Sequence, residues 1–356
     1  MKITSVSSRV EAFALTRPYT ITFRHTELVE NVILVVETSS GLTGLGAAAP
    51  EPRVTGETGE ACRAALAEES LSWLIGRDVR EAARLCWEAR ERMPSVPAAR
   101  AAVDMALHDL LAQHLGVPLV ELLGRAHESL PTSITIGIKP LEETLAEAQE
   151  YVGRGFQVLK VKIGLSLDED FERLARLREK VGRGMKIRVD ANQGYSAEKV
   201  ARFFRETAPL DLEFLEQPLP AGDFGAVRGF QPEIRDRIAA DESLLDEKDA
   251  LALAAPPRAC GIFNIKLMKC GGIRPALSIA AIADAARVEL MWGCMDESVI
   301  SIAAALHAAL ASPATRYLDL DGSLDLARDV AEGGFALENG WMRTTVEPGL
   351  GVRLAE

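Results

Sequence analysis

Several kinds of residue are scarce in this 356-residue chain, and each scarcity closes a door. Cysteine occurs five times, at Cys62, Cys86, Cys260, Cys270 and Cys294, an odd count with no Cys-x-x-Cys pair. That excludes a disulfide framework and suits a reducing, cytoplasmic setting. Positive charge is in deficit: 40 Lys and Arg against 52 Asp and Glu give a formal net charge of −12. A nucleic-acid binder needs a basic patch or stripe, so no nucleic-acid partner is expected. No uninterrupted apolar run reaches the roughly 18 residues of a membrane span. The first twenty residues, MKITSVSSRVEAFALTRPYT, also lack the apolar stretch of a secretory signal. No membrane partner is expected. Long linkers and low-complexity segments are missing too.

What remains has a clear order. Residues 1–50 carry strand-like runs at 3–15 and 31–38, the second followed by the Ser/Gly-rich turn SSGLTGLG. Between them, 16–30 mixes aromatic and charged residues and reads as a polar loop. GLTGLG lacks the spacing of a nucleotide-binding glycine loop and reads as a hairpin turn. Residues 57–123 are rich in Ala, Leu, Glu and Arg with helical periodicity. Strands followed by helices make an α+β unit, placed at 1–125. From about 131 onward, apolar segments recur at 132–138, 158–164, 186–192, 212–218, 237–243, 262–268, 289–295 and 316–322. Amphipathic helical stretches fill most of the intervals. Eight such units predict an α/β fold, a modified TIM (β/α) barrel over 126–324 with the α+β unit as an N-terminal capping domain. Residues 325–356 carry no further unit and are expected to complete the capping domain.

The segment 158–164, VLKVKIG, is a buried strand by composition, yet Lys160 and Lys162 leave it on one face. Alone, such a pair reads as edge protection. Other candidate strands carry polar residues at the matching point: Thr135, Asp190 with Asn192, Glu216, Asp241 with Glu242, Lys266, Asp296 just beyond the seventh, and Asp319 with Asp321. From Lys162 to Asp190, Glu216, Asp241 and Lys266 the gaps are 28, 26, 25 and 25 residues. One position per repeat puts all of them at one end of the barrel, where active sites of this fold lie. Strands two and six oppose each other in a ring of eight, so Lys162 and Lys266 face each other across the mouth. Asp190, Glu216 and Asp241 lie between them. Three converging carboxylates call for a cation, and all-oxygen ligands suit Mg²⁺, one per subunit, with Mn²⁺ next. Two facing bases beside a metal-held substrate can move a proton from one side of a carbon to the other. The charge that develops on removing a proton α to a carboxylate must be met by positive groups, here the metal and Lys160.

VLKVKIG, RVDANQGY, LEFLEQPL, RIAADES and FNIKLMKCGGI together resemble the muconate-lactonizing subgroup of the enolase superfamily, over essentially the whole chain. The resemblance implies acid/base roles for Lys162 and Lys266, metal ligation by Asp190, Glu216 and Asp241, and assistance at the substrate carboxylate by Lys160. Histidines 25, 108, 114, 127 and 307 fall outside the strand-end ladder, which disfavours branches that use a His base. Asp319-Leu320-Asp321 is similar to the Asp-x-Asp that holds the α-ammonium in dipeptide epimerases. GCMDES at 293–298, with Cys294 and Asp296, is similar to their substrate-binding loop. A carboxylate on the metal side and a cation on the far side belong to one extended zwitterion, and a free amino acid is too short to span both. Inversion at the α-carbon of the C-terminal residue of a dipeptide is therefore expected, with Thr135 and Asn192 also lining the substrate site.

The side-chain preference rests on three residues. Arg24 matches an arginine that binds glutamate in Ala-Glu epimerases. Glu51 in APEPRVTG and Asp296 stand where those enzymes carry uncharged residues. Two added carboxylates attract a basic side chain and repel an acidic one. Dipeptides with Lys or Arg are thus preferred over L-Ala-D/L-Glu. An o-succinylbenzoate synthase or cycloisomerase has no use for Asp319 and Asp321. A Schiff-base aldolase needs a lysine but not three carboxylates. A non-catalytic binding protein on this scaffold would not need the facing lysines. An assembly of identical chains is compatible with all of these.

Overall fold

The computed structural model describes residues 1–21 and 24–355, and of residues 21, 24 and 25 the backbone alone. An antiparallel sheet of three strands, Ile3–Ile21, Arg24–Thr38 and Thr43–Ala48, opens the chain in sequence order. Helix Pro97–Leu115 packs on it. This helix begins with Pro at its first turn and ends on Gly116 in the left-handed region, a start and stop the sequence supplies. Its own N-cap offers no side chain. Instead the buried carboxylate of Glu57 accepts the N–H groups of Ala98 at 2.6 Å and Ala99 at 3.2 Å.

The glycines of GLTGLG serve this packing. A Cβ on Gly46 would stand 1.9 Å from the carbonyl oxygen of Ala102, and one on Gly44 2.4 Å from that of Ala106. Strand and helix therefore meet backbone to backbone. Gly41, at φ +80°, makes the preceding turn.

The expected loop at 16–30 is instead a β-ribbon. The first strand runs on to Ile21 and pairs Tyr19 with Thr26 and Ile21 with Arg24, after a register shift between Ala14 and Tyr19. The ribbon lacks a clear alternation of apolar and polar residues because much of it lies over the barrel mouth rather than on a core. It is pinned there by Thr16 N–H to the carbonyl of Asp325 at 2.7 Å and Ile138 N–H to that of Thr20 at 2.8 Å.

The second unit is the expected ring. Eight parallel strands follow in sequence order: Ile134–Ile136, Val158–Lys162, Lys186–Asp190, Leu215–Glu216, Ile238–Ala240, Ile262–Ile265, Glu289–Gly293 and Thr315–Asp319. A parallel bridge between Thr132 and Leu318 joins the eighth to the start of the first. Helices cover the outside between successive strands, ending with Val299–Leu310 before strand eight. Among the described residues no helix follows strand eight. The chain instead forms short strands, of which Trp341–Thr344 pairs with Leu130–Pro131. This last segment also touches the first unit: Gly349 O accepts from Leu119 N–H at 2.8 Å and Asp109 Oδ1 from Leu350 N–H at 2.8 Å, while Ala327 N–H reaches Ala14 O at 2.8 Å. Among the described residues no helix is long and apolar enough to cross a membrane.

The close approach at Gly46 predicts that Gly46→Ala lowers unfolding stability by about 1–3 kcal/mol, the cost of overpacking a filled core. Gly153, at a helix end with nothing within 4 Å of its Cβ position, should tolerate Ala with no loss. Urea unfolding of the two variants checks the contrast, and equal stabilities would contradict it.

Candidate active site

Parallel register builds the site. Lys162 pairs with Asp190 across strands two and three, and Asp190 with Glu216 across three and four. Glu216 pairs with Ala239, two residues before Asp241. Thr135 pairs with Lys160, and Gly293 with Asp319. Matching registers at the C-terminal ends thus set the charged residues around one rim. Lys160, Lys162, Asp241, Lys266, Asp319 and Asp321 open into a cavity of about 360 Å³, lined also by Tyr19, Glu51, Asn192, Glu242, Cys294 and Asp296, while Asp190 and Glu216 are fully buried beside them.

Four lysines face this rim at different depths. Lys160 Nζ lies 2.7 Å from Asp319 Oδ2, 2.8 Å from Glu216 Oε2 and 3.5 Å from Asp190 Oδ2. Lys162 Nζ lies 2.6 Å from Asp190 Oδ2, and Lys266 Nζ 2.8 Å from Asp241 Oδ2. Lys269, which the sequence reading passed over, holds Asp241 Oδ1 at 2.5 Å and the carbonyls of Asp241 and Asn264 at 2.6 and 2.9 Å. Its signal was its place three residues after Lys266, one helical turn on. Side-chain exposure is 12% for Lys162 and 9% for Lys266, but 2% for Lys160 and 1% for Lys269. Lys162 and Lys266 are therefore the two that reach furthest into the cavity.

Six carboxylates, Asp190, Glu216, Asp241, Glu242, Asp319 and Asp321, face these four ammonium groups, leaving two negative charges in excess. The excess is visible in the acids. Burial, then the charge of Asp190, pushes Glu216 up to about 8. Burial, then Asp241, pushes Glu242 up to about 7. Burial also acts on Asp319, but the ammonium of Lys160 outweighs it and holds that carboxyl below its usual range. Asp321, without such a partner, is pushed by burial and by Asp319 up to about 7.

The rim also holds buried oxygens with no partner, Asn192 Oδ1, Glu242 Oε2 and Asn264 Oδ1, while Glu216 Oε2 has only the ion pair with Lys160. Unpaired buried acceptors are costly. Together with two surplus negative charges and an all-oxygen donor set, they fit a hard divalent cation held by Asp190, Glu216 and Asp241. The oxygens of these three do not stand within 4.8 Å of one another as a set. Among the described residues only Cys86, Asp104 and His108, outside the cavity, do. Each of the three rim acids is instead drawn toward a lysine.

The remaining expected residues are placed as follows. Thr135 lines the cavity and its backbone N–H donates to Asp321 Oδ2 at 2.7 Å. Asn192, at φ +39°, donates its N–H to Asp190 Oδ1 at 2.9 Å and its amide to Glu242 Oε1 at 3.3 Å. The Cys294 thiol contacts the carbonyl of Asp319 at 3.2 Å. Burial, then Asp321, raises this thiol well above its usual range, so it stays protonated. Glu51 caps the short helix Pro52–Thr55 through the N–H of Arg53 at 3.2 Å. Asp296 accepts from Tyr19 Oη at 2.7 Å, and its carbonyl from Asn31 Nδ2 at 3.2 Å. Both acids lie on the cavity wall that the capping unit covers. Arg24 belongs to the ribbon, and its side chain lies outside the described residues.

Comparisons with known proteins agree with this geometry. Residues 3–124 match the model of the mandelate racemase / muconate lactonizing enzyme N-terminal domain, and 143–356 the enolase C-terminal domain-like model. The chain is 63% identical to an L-Lys-D/L-Arg epimerase of Methylococcus capsulatus, over 99% of both chains. The crystal structure of the dipeptide epimerase from that organism, with Mg and the dipeptide L-Arg-D-Lys, superposes with a TM-score of 0.98 over 99% of both chains. An L-Lys-D/L-Arg epimerase of Desulforapulum autotrophicum is 55% identical over 99% of both chains. An L-Ala-D/L-Glu epimerase of Clostridium acetobutylicum is 34% identical over 95% of both.

If the three rim acids hold the cation, Asp190→Asn, Glu216→Gln and Asp241→Asn should each weaken Mg²⁺ binding by more than the roughly 10–100-fold that loss of an outer-shell partner costs. Calorimetric titration reads this directly, and three unchanged affinities would contradict the assignment.

Proposed function

We propose that this chain, which belongs to the mandelate racemase / muconate lactonizing enzyme family of the enolase superfamily, is a dipeptide epimerase that inverts the α-carbon of the C-terminal residue and prefers Lys- and Arg-containing dipeptides. The observation that carries the preference is the pair of carboxylates, Glu51 and Asp296, on the wall of the cavity that the two lysines enter. The 63% identity to an L-Lys-D/L-Arg epimerase supports the same reading.

Mg²⁺, when bound at Asp190, Glu216 and Asp241, supplies positive charge to the substrate carboxylate and so acidifies the adjacent α-hydrogen. The chain's own groups do the rest. Lys160, buried behind the rim, adds a second positive charge at that carboxylate. Lys162 on strand two and Lys266 beyond strand six face opposite sides of the α-carbon. In one direction Lys162 takes the proton and Lys266 delivers one to the other face, and in reverse they exchange roles. The strand-eight aspartates close the far end, where the α-ammonium lies. A basic side chain then meets Asp296 and Glu51, while a glutamate side chain would be repelled. The five free cysteines, four of them buried, suit a reducing compartment, and we read the enzyme as cytoplasmic.

A dipeptide library in D₂O with Mg²⁺ tests the proposal. Deuterium uptake should be strongest for dipeptides with Lys or Arg. Asp296→Asn and Glu51→Gln should each lower kcat/KM for those substrates by about 10-fold, or 1.4 kcal/mol, with little effect on neutral dipeptides. Rapid turnover of Ala-Glu with none of the basic dipeptides would overturn the preference.

A further inference from the structure

Lys162 and Lys266 are fastened in different ways. The turn after Lys162 is held within the barrel: Gly164 N–H donates to Asp170 Oδ2 at 3.0 Å, and Tyr195 Oη to the same oxygen at 2.7 Å. Lys266 stands at the head of a single helical turn, Leu267–Cys270, and its carbonyl accepts the N–H groups of Lys269 at 3.0 Å and Cys270 at 3.3 Å. That turn runs into Gly271 at φ +94° and Gly272 at φ +123°, where helix Ile273–Ala286 begins. The capping unit grips this glycine pair. A Cβ on Gly271 would stand 2.7 Å from Arg100 Nε, and one on Gly272 2.4 Å from Asp104 Cβ. Arg100 is locked in turn by the carbonyls of Met93 and Pro94 at 3.0 and 2.9 Å. Helix Ile273–Ala286 has no side-chain cap of its own, because Gly272 stands at its N-cap. Asp104, buried in helix Pro97–Leu115, supplies one from the other unit: Oδ1 accepts the Ile273 N–H at 2.7 Å, and Oδ2 the Arg274 N–H at 3.4 Å. His108 Nδ1 lies 3.1 Å from Asp104 Oδ1 and donates to the Asp104 carbonyl at 2.8 Å. With N–H donors on both carboxylate oxygens, the group of Cys86, Asp104 and His108 serves as a clamp and not as a cation site.

We propose that Asp104 is a positioning residue for Lys266: by capping helix Ile273–Ala286 across the boundary between the units, it fixes where the preceding turn sets that lysine and leaves Lys162 alone. This rests on the epimerase reading and deepens it, since one of the two bases then belongs wholly to the barrel while the other depends on the cap. Between Lys266 and the clamp lies only one turn, closed by the N–H groups of Gly271 and Gly272 on Leu267 O at 2.9 and 3.1 Å. Lys269 ties its inner side to Asp241 Oδ1 and Asn264 O, and Asp104 closes the outer side. Glycine has the widest backbone freedom, so without the clamp the pair can hinge and carry the lysine with it. A misplacement of about 1 Å, even from a change far from the chemistry, can cost about 100-fold in rate. Because the two bases serve opposite faces of the α-carbon, only the face that Lys266 serves should feel the loss.

The test follows α-hydrogen exchange in D₂O, with Mg²⁺ and saturating substrate, from the L,L and L,D epimers of a Lys-Arg dipeptide, and takes the ratio of the two initial rates. That ratio does not depend on what fraction of a variant is folded. Lys266→Ala identifies the epimer that Lys266 deprotonates. Asp104→Ala should slow exchange of that epimer by about 10-fold or more relative to the other, within what a misplaced base costs. Asp104→Asn, which keeps an acceptor for the Ile273 N–H, should tilt the ratio the same way by less, and it carries the test alone if the alanine variant does not fold. Glu57→Gln weakens the N-terminal cap of the same helix Pro97–Leu115 without touching the glycine pair. It should lower thermal stability and leave the ratio at its wild-type value. Equal slowing of both epimers in the Asp104 variants, a tilt against the epimer that Lys162 serves, or the same tilt in Glu57→Gln would overturn the positioning role. Wild type that exchanges neither epimer would overturn the epimerase reading itself, so the two failures are told apart.

Discussion

The site depends on neutralising ten charges gathered at one end of a barrel. Taking carboxylates and ammonium groups out of water costs several kcal/mol per ion unless each finds a partner, and here parallel register supplies the partners. Because Lys162, Asp190 and Glu216 are neighbours across consecutive strands, a lysine and two acids meet without any loop having to be held in place. Charge does not balance within the rim: six acids stand against four lysines. Burial first, and the neighbouring carboxylates second, raise Glu216, Glu242 and Asp321, and the excess charge is also what a divalent cation would relieve. The same constraint separates the lysines by depth. The two least exposed, Lys160 and Lys269, are held among carboxylates and carbonyls, and the two more exposed, Lys162 and Lys266, are those we assign to proton transfer.

In the proposed function, selectivity arises where the capping unit meets the barrel, at Glu51 and Asp296. The sheet of the capping unit rests on helix Pro97–Leu115 through glycines with no side chain in the way, which fixes the ribbon over the mouth. From there Tyr19 ties Asp296 to the cap, and Asn31 bonds both Asp296 O and the N–H of Ser298 at 2.9 Å. The groups we assign to acid/base work thus come from barrel strand ends, while those we assign to the substrate side chain, Glu51 and Asp296, come from loops where the two units meet. Such an arrangement lets specificity change with loop residues while the strand ends keep the chemistry.

Much of this was legible in the sequence for one physical reason. A repeat of about 25 residues forces each strand to end at the same side of the ring, so polar residues one repeat apart had to share a rim. Spacing therefore revealed Lys162, Asp190, Glu216, Asp241 and Lys266. What spacing cannot carry is contact between residues that meet only sideways. Ser133 and Arg188 lie 55 residues apart in the chain and are unremarkable in it, yet Ser133 Oγ accepts from Arg188 and donates to Asp319. Asp319 and Asp321 look alike in the motif and both line the cavity, but one is buried against Lys160 while the other is half-buried and accepts the Thr135 N–H. The ribbon at 16–30 was read as a loop because a strand without a buried face loses the alternation that marks strands.

The central claim is that two lysines address opposite faces of one carbon. Its most direct test follows α-hydrogen exchange in D₂O from the L,L and L,D epimers of a Lys-Arg dipeptide separately, with Lys162→Ala and Lys266→Ala. Each variant should fail to epimerise yet still exchange the α-hydrogen of one epimer, a different epimer for each. Loss of exchange from both epimers in both variants, or continued epimerisation by either, would contradict the account.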